Sequence, residues 1–497
     1  MNIDIILPYK EIFSADKASA VSLTIKNSAQ FSEFNSIINV FGQMTLQPFK
    51  GLKFNGIKTN PLLHFGNNNS ILFNYFKMIS NVDRGKKIIE IHNRPYLFNS
   101  AIAKDKNNPT ATYWVGECHL SLGNFDTALK YALLAYDLDK KIHPEINFLI
   151  GVCYHKLGEL DNALTNYEIA ITKIHETRSV SLRLPLRIEE CKRAKEMMLT
   201  PIKVSIAALG ININSRNDEY APLITNDGKT MYFSSRRADN YGGGTSSGDR
   251  KYFSDIYISQ WDETINDWGV ATNVGDVIKR LNSKGFDAVS SISTDGEYIY
   301  LTINTDGISK PKPVTKSADI YYSKISSKGS WGTPKPMEKK IINTMYFETS
   351  PSFTADGNTM YFVSERSGGQ GMSDVWMSKK ISKNGWSKAQ NLGSAINTPY
   401  NETTVFITPD EKHMFFSSTG HKGMGGYDIY YSKNVDGIWS EAKNIGFPIN
   451  SVTDETHFQY YPNLGKAYYS KISSDGDGGQ GMRDIFEVDI KDLKLED

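Results

Sequence analysis

From Pro201 onward, hydrophobic and polar positions alternate along short runs bounded by Gly, Asp and Asn, as in TMYFSS at 230–235 and TMYFVS at 359–364. A period of two puts alternate side chains on opposite faces of a strand, so this part of the chain reads as all-β. Between about 108 and 173 the pattern instead returns every 35 residues. Gly116, Cys118, Gly123, Ala128 and Ala135 recur as Gly151, Cys153, Gly158, Ala163 and Ala170. Each copy predicts two helices around a Gly turn, with small residues where the helices approach. Over residues 1–98 the runs IDIILPYK and KKIIEIHNRP predict buried parallel strands, and ASAVSLTIKNSAQFSEF an intervening helix.

The β part has its own long repeat. Asp255, Asp319, Asp374, Asp428 and Asp484 each open a strand of the form Asp-Ile-Tyr, Asp-Val-Trp or Asp-Ile-Phe. An acidic residue precedes a first strand in every unit: Glu219, Asp287, Glu348, Glu402 and Glu455. A turn follows, at Asp227-Gly228, Asp295-Gly296, Asp356-Gly357, Asp410-Glu411 or Asn463-Leu464-Gly465, then an aromatic second strand, a polar or Gly-rich loop and the Asp-led third strand. A fourth strand is expected after Trp268, Trp331, Trp386 and Trp439. Four antiparallel strands repeated five times predict a five-bladed β-propeller, in which ring closure removes long exposed edges. The fifth unit ends at Val488 without a fourth strand. AALGININS at 207–215 aligns with QNLGSAINT at 390–398 and KNIGFPINS at 443–451, so the start of the domain is expected to complete the last blade.

YWVGECHLSLGNFDTALKYALLAY and FLIGVCYHKLGELDNALTNYEIAI resemble tetratricopeptide repeats, through Trp114, Gly116, Leu122-Gly123 and Ala128. LFNSAIAKDKNNP reads as the second helix of a truncated earlier repeat, and LRIEECKRAKEMM as a capping helix. DEYAPLITNDGKTMYFSSRR, ETSPSFTADGNTMYFVSERSGGQG and SSTGHKGMGGYDIYYS resemble the WD40-like (PD40) propeller repeats. The combination resembles envelope proteins of Bacteroidetes that also carry an OmpA-like peptidoglycan-binding domain. Residues 1–98 resemble part of the acceptor half of a GT-B glycosyltransferase, through LPYKEIF, AVSLTIK and IIEIHNRPY, with no donor half following. The expected fold is therefore multidomain: a partial α/β segment (1–98), tetratricopeptide-like helices (99–199) and a five-bladed propeller closed by an N-terminal strand (200–497).

Composition narrows the chemistry. The 497 residues carry a net charge of +1 with interspersed signs, which argues against a nucleic-acid footprint. Three cysteines make no disulfide framework or four-thiolate site, and their positions predict buried, inert thiols. No 18-residue apolar run is present. MNIDIILPYKEIF lacks a basic start, a long apolar stretch and a cleavage site. As written, the sequence predicts a cytoplasmic chain or an N-terminus that is not authentic, whereas the resemblance implies periplasm or outer membrane. No G-x-S-x-G elbow or H-E-x-x-H pair occurs, and His92-Asn93-Arg94 is the best enzymatic hint.

STGHKGMGGYDIYYS at 418–432 is the most unusual loop. Lys422 precedes Gly423 and no helix follows, so it does not fit a phosphate-binding P-loop. The same slot holds SERSGGQGMSDVWMS and SSDGDGGQGMRDIF, so it reads as a second-to-third-strand connection whose aspartate accepts turn amides. Ile429 and Tyr431 are expected on opposite faces of the following strand. Arg237, Arg366 and His421 are expected near the acids that precede the first strands, either as rim ion pairs or as part of a polar pocket. His421, Lys422 and Met424 break the repeat, so with Arg237 and Arg366 they are the candidate partner-binding residues. The resulting expectation is a non-enzymatic interaction scaffold without cofactor or metal. Its protein partners would meet the repeat groove and the propeller loop face, and peptidoglycan or glycan would be engaged indirectly. The alternatives are a glycosyltransferase fragment in residues 1–98 and a propeller hydrolase or lectin.

Overall fold

The computed structural model describes residues 2–6, 38–43, 53–57, 87–91, 108–246, 251–277, 281–304, 318–327, 329–382, 385–473 and 477–495. Two compact units emerge: residues 1–153 with 172–174, and residues 154–171 with 175–497. The division falls inside the helical segment, not at its end near residue 199.

In the first unit, β1 (Asn2–Ile6), β2 (Ile38–Gln43), β3 (Lys53–Ile57) and β4 (Lys87–Ile91) form a sheet in the order β3-β2-β1-β4. The pairing is parallel, with Ile3 opposite Ile88 and Ile6 opposite Ile91, which matches the two apolar runs. The helix expected between them, and the truncated repeat before Asn108, lie outside the described residues. Helices α1 (Pro109–Ser121) and α2 (Phe125–Leu138) follow. Asn108 caps α1 by accepting from the Ala111 amide at 2.9 Å, and Pro109 occupies a position where no amide is needed. A Cβ on Gly116 would lie 3.3 Å from the Ala128 carbonyl and the Ala132 amide, so a larger residue would have to push the helices slightly apart. Ala128, Ala132 and Ala135 are fully buried in return.

Helices α3 (Ile146–Lys156) and α4 (Leu160–Lys173) make the second repeat, followed by α5 (Glu176–Ser181) and α6 (Leu184–Leu199). The rest of the second unit is a five-bladed propeller. Its innermost strands are Glu219–Ile224, Phe286–Ile292, Glu348–Phe353, Glu402–Ile407 and Glu455–Tyr461, each beside the next around the ring. Every blade continues outward through antiparallel second and third strands to an outer strand. The outer strand of blade five is Ser205–Ala208, paired with the third strand so that Ala208 faces Phe486 and Ser205 faces Asp489. The chain thus closes its own ring.

Alternation along the second strands fills the seams between blades. Met231 and Phe233 point into the seam between blades five and one, whereas Tyr232 points into that between one and two. An outer strand follows each of Trp268, Trp331, Trp386 and Trp439, as expected. Trp268, Trp386 and Trp439 sit in two-residue strands folded back on the third strand, ahead of outer strands at Thr272–Asn273, Gln390–Asn391 and Lys443–Asn444. They and Trp331 each pack into the seam towards the preceding blade. Blade five lacks such a tryptophan. At its seam with blade four, Ile490, Leu493 and Leu495 of the C-terminal segment contribute apolar surface instead. Ile429 and Tyr431 lie together in that same seam, with Tyr430 in the opposite one. This corrects the expectation of opposite faces: residues two apart share a face of a strand.

Candidate functional site

The loop face of the propeller is held by one device repeated five times. An Asn-Ser or Asn-Thr pair precedes each first strand: Asn214-Ser215, Asn282-Ser283, Asn343-Thr344, Asn397-Thr398 and Asn450-Ser451. The asparagine side chain pairs with the third strand of the preceding blade. Asn397 accepts from the Val375 amide at 2.7 Å and donates to its carbonyl at 3.0 Å. Asn450 does the same to Ile429, Asn343 to Ile320, Asn282 to Ile256 and Asn214 to Ile485. The Ser or Thr then donates its amide and hydroxyl to the acid four residues on, as Thr398 does to Glu402 at 2.9 and 2.7 Å. Glu219, Asp287, Glu348, Glu402 and Glu455 are all fully buried in this role. Burial pushes the Asp287 and Glu402 carboxyls up to about 7, and raises Glu219 and Glu455. AALGININS, QNLGSAINT and KNIGFPINS carry three of these asparagines, Asn214, Asn397 and Asn450, at one aligned position.

The aspartates that open the third strands tie down their own loops. Asp374 accepts from the Gln370 and Gly371 amides, Asp428 from Met424 and Gly425, and Asp484 from Gln480 and Gly481. Asp255 accepts from the Tyr241 amide and Asn273. The loop before Asp319 lies outside the described residues.

Arg237, Arg366 and His421 occupy one structural slot. Arg366 donates to the Ile342 carbonyl at 2.7 Å and pairs with Glu348 at 3.4 Å. Arg237 donates to the Ile213 carbonyl and pairs with Glu219 at 3.3 Å. His421 donates through Nε2 to the Ile396 carbonyl at 2.8 Å. Each lies against an aromatic of the second strand and one of the third: Phe233 and Tyr257, Phe362 and Trp376, Phe416 and Tyr430. These hydrogen bonds turn their polar atoms into their own blades, while all three side chains stay partly exposed. Met424 is fully buried. Lys422 is the one member of the predicted set with an exposed side chain.

What covers the blade-four loop is the chain's own helical segment. Its carbonyls are met in turn by cationic or imidazole donors. Arg183 donates to Thr419, Arg193 to Gly423 at 3.1 Å, His155 to Met424 at 2.8 Å and Lys156 to Gly425 at 3.4 Å. Lys156 also reaches the Val452 carbonyl at 2.9 Å. Burial lowers His155 to about 3, so its ring is neutral. A carbonyl only accepts, hence the proton is on Nε2, and Nδ1 accepts from the Tyr167 hydroxyl at 3.4 Å. Glycine is required here: a Cβ on Gly425, at φ +130°, would lie 2.8 Å from His155 Nε2. The Arg183 guanidinium stacks on Tyr400, 3.9 Å from the ring centroid. Desolvation of the half-buried Asp454 disfavours its charge, but Lys156 at 3.8 Å and Arg483 at 3.6 Å hold its carboxyl below the usual range. The signal for this contact was a break in the helical repeat. At the positions where the first copy has Leu120 and Ser121, the second has His155 and Lys156.

The cysteines are free, and burial raises them, Cys118 to about 11 and Cys153 and Cys191 to about 12. Among the described residues, no three His, Cys, Asp or Glu side chains gather as a metal-binding group, and no helix is long and apolar enough to cross a membrane.

Residues 90–170 match the family described as anaphase-promoting complex, cyclosome, subunit 3, so the match concerns the helical repeats alone. No curated protein matches the chain in sequence. Among solved structures, TolB from Acinetobacter baumannii is similar at 16% identity with a TM-score of 0.31, over 56% of this chain and 55% of TolB. The chain thus spans little more than half the length of that structure. An α-L-arabinofuranosidase from Podospora anserina, solved with cellotriose, is similar at 12% identity and a TM-score of 0.36, over 58% of this chain and 96% of its own. One from Lactobacillus brevis is similar at 12% identity and 0.36, over 56% and 92%.

Proposed function

We propose that this protein is a non-enzymatic interaction scaffold, in which a propeller carries a helical-repeat segment fixed to one of its loops. The observation that supports this most strongly is the row of blade-four carbonyls taken up by Arg183, Arg193, His155 and Lys156. A further support is that the five buried acids before the first strands are engaged by Ser and Thr groups, which leaves them poorly placed to act on a substrate. Trp114, 40% exposed on α1, and Lys422 on the loop face are the residues we assign to protein partners. The PD40-type repeats after tetratricopeptide-like helices favour work in a cell envelope of the Bacteroidetes type, beside peptidoglycan-binding partners. The four parallel strands between residues 2 and 91 are in keeping with part of a GT-B fold, to which we assign no catalytic role.

The test is twofold. A photo-crosslinker placed at Lys422 in the source cells should trap protein adducts, and the purified chain should release no reducing ends from plant or bacterial polysaccharides. Sugar release that disappears in Glu402→Gln, with the melting temperature unchanged, would replace the scaffold with a hydrolase.

A further inference from the structure

Blade three repeats the platform that blade four uses to hold its helix, and no described residue covers it as the helix covers blade four. In both blades the second and third strands are joined by a short loop, with Ser364 opposite Asp374 and Ser418 opposite Asp428 across the connection. These pairs are ten residues apart, whereas the corresponding residues in blades one and five, Ser235 with Asp255 and Lys471 with Asp484, are farther apart in sequence. In both blades the aspartate accepts the same two loop amides, from Gln370 and Gly371 or from Met424 and Gly425. In both, a tyrosine stands three residues after the stapling asparagine, its amide bonded to the Thr hydroxyl at 3.2 Å: Tyr346 to Thr344, and Tyr400 to Thr398.

The difference is occupancy. Tyr400 lies beneath Arg183, and Met424 is fully buried. At the matching places of blade three, Tyr346 is 38% exposed and Gln370 is exposed. Met345 and Met372 beside them are 70% and 66% exposed. The carbonyls matching those met by Arg183, Arg193, His155 and Lys156 belong to Glu365, Gly369, Gln370 and Gly371. Among the described residues no donor reaches any of them. Where blade four has Thr419, blade three has Glu365, an exposed carboxylate beside the tyrosine's connection, its amide bonded to the Phe347 carbonyl. Blade three therefore presents the acceptors and the aromatic ring of the blade-four platform, with a negative charge added.

We infer that the blade-three loop is a second docking surface, and that it takes an arginine-bearing α-helix of a partner protein in the manner of α6 on blade four. One arginine stacks on Tyr346 and is paired by Glu365; a second, about three turns on, donates to the Gly369 carbonyl, as Arg183 and Arg193 do on blade four. The exposed methionines supply a deformable apolar border. This rests on the scaffold reading and names the class of partner.

The probe is the chain's own sequence, residues 183–199, made as a peptide with Cys191→Ser and locked as a helix by a lactam between Lys192 and Glu196. Both of these side chains are exposed on α6. Circular dichroism confirms the helix before titration onto the full chain. We expect saturable micromolar binding, weakened about tenfold by Tyr346→Ala and again by Glu365→Gln, and unaffected by Tyr241→Ala, an exposed tyrosine of blade one. A peptide with Arg183→Ala and Arg193→Ala should not bind. No binding, or binding that Tyr346→Ala and Glu365→Gln leave unchanged, overturns the proposal. So does self-association of the full chain that Tyr346→Ala abolishes while the peptide fails to bind, which would make a second copy the occupant. None of these outcomes depends on sugar release, so the scaffold reading and this inference fail separately.

Discussion

The seams between blades and the contact between the helices and blade four are both built on backbone groups satisfied by side chains, yet by different chemistry. At every seam an uncharged asparagine completes the third strand beside it, backed by a buried acid and by apolar packing. At blade four the donors are guanidinium, ammonium and imidazole groups, and the acceptors are carbonyls of one loop. The first arrangement is repeated five times and is indifferent to what else the chain does. The second occurs where the repeat is broken. A buried neutral amide with two partners is a permanent joint, because losing it strands an amide and a carbonyl together. Of the blade-four donors, Arg183 and Lys156 keep side-chain exposures of 22% and 13% and so retain some water as an alternative, whereas neutral His155 is fully buried.

The largest effect should come from the seam. Asn397→Ala leaves the Val375 amide and carbonyl buried without partners and should cost about 3 kcal/mol of stability, read by chemical denaturation. A loss under about 1 kcal/mol would mean that the asparagines do not carry the seams. The acids behind the asparagines add a pH effect. Asp287 and Glu402 sit near 7 in the folded chain and near their ordinary values when unfolded. Between these limits the folded form holds protons that the unfolded form has lost. Their contribution is therefore full below about pH 4 and is lost as pH rises through about 7. The melting temperature should be higher at pH 5 than at pH 8, and Asp287→Asn with Glu402→Gln should flatten that difference.

These two joints were not equally legible beforehand. Blade number, strand order and ring closure follow from an alternation and a repeat that a single sequence displays, and residues 205–208 were recognisable because their neighbours resemble the ends of other blades. Asn214 and its counterparts were visible as letters. Their role was not, because a side chain that pairs with another blade's backbone leaves no local signature. The setting of Arg237, Arg366 and His421 was hidden for the same reason. A cation beside an acid reads as a surface group until burial and an aromatic sandwich are known. At Met424, a break in a repeat marks where something binds without telling whether the occupant is foreign or part of the same chain.

Two smaller experiments sharpen the contrast. A double-mutant cycle of Arg183→Ala and Tyr400→Ala should give a coupling of about 1 kcal/mol, in keeping with a partly buried cation on an aromatic face. Additivity within 0.3 kcal/mol, the scatter expected of independent sites, would remove the stacking from the account. Smaller still, Glu411 stands at φ 59° in the turn where other blades have glycine. Glu411→Gly should add about 0.5 kcal/mol by relieving that backbone.

The central claim is that the blade-four loop is held by helices of its own chain, whereas the blade-three loop is not. Amide hydrogen exchange on the full chain tests it directly. His155→Ala with Arg193→Ala should speed exchange across residues 419–427 at least tenfold and leave residues 365–373 as they were. Unchanged exchange in both loops, or equal acceleration in both, would contradict it.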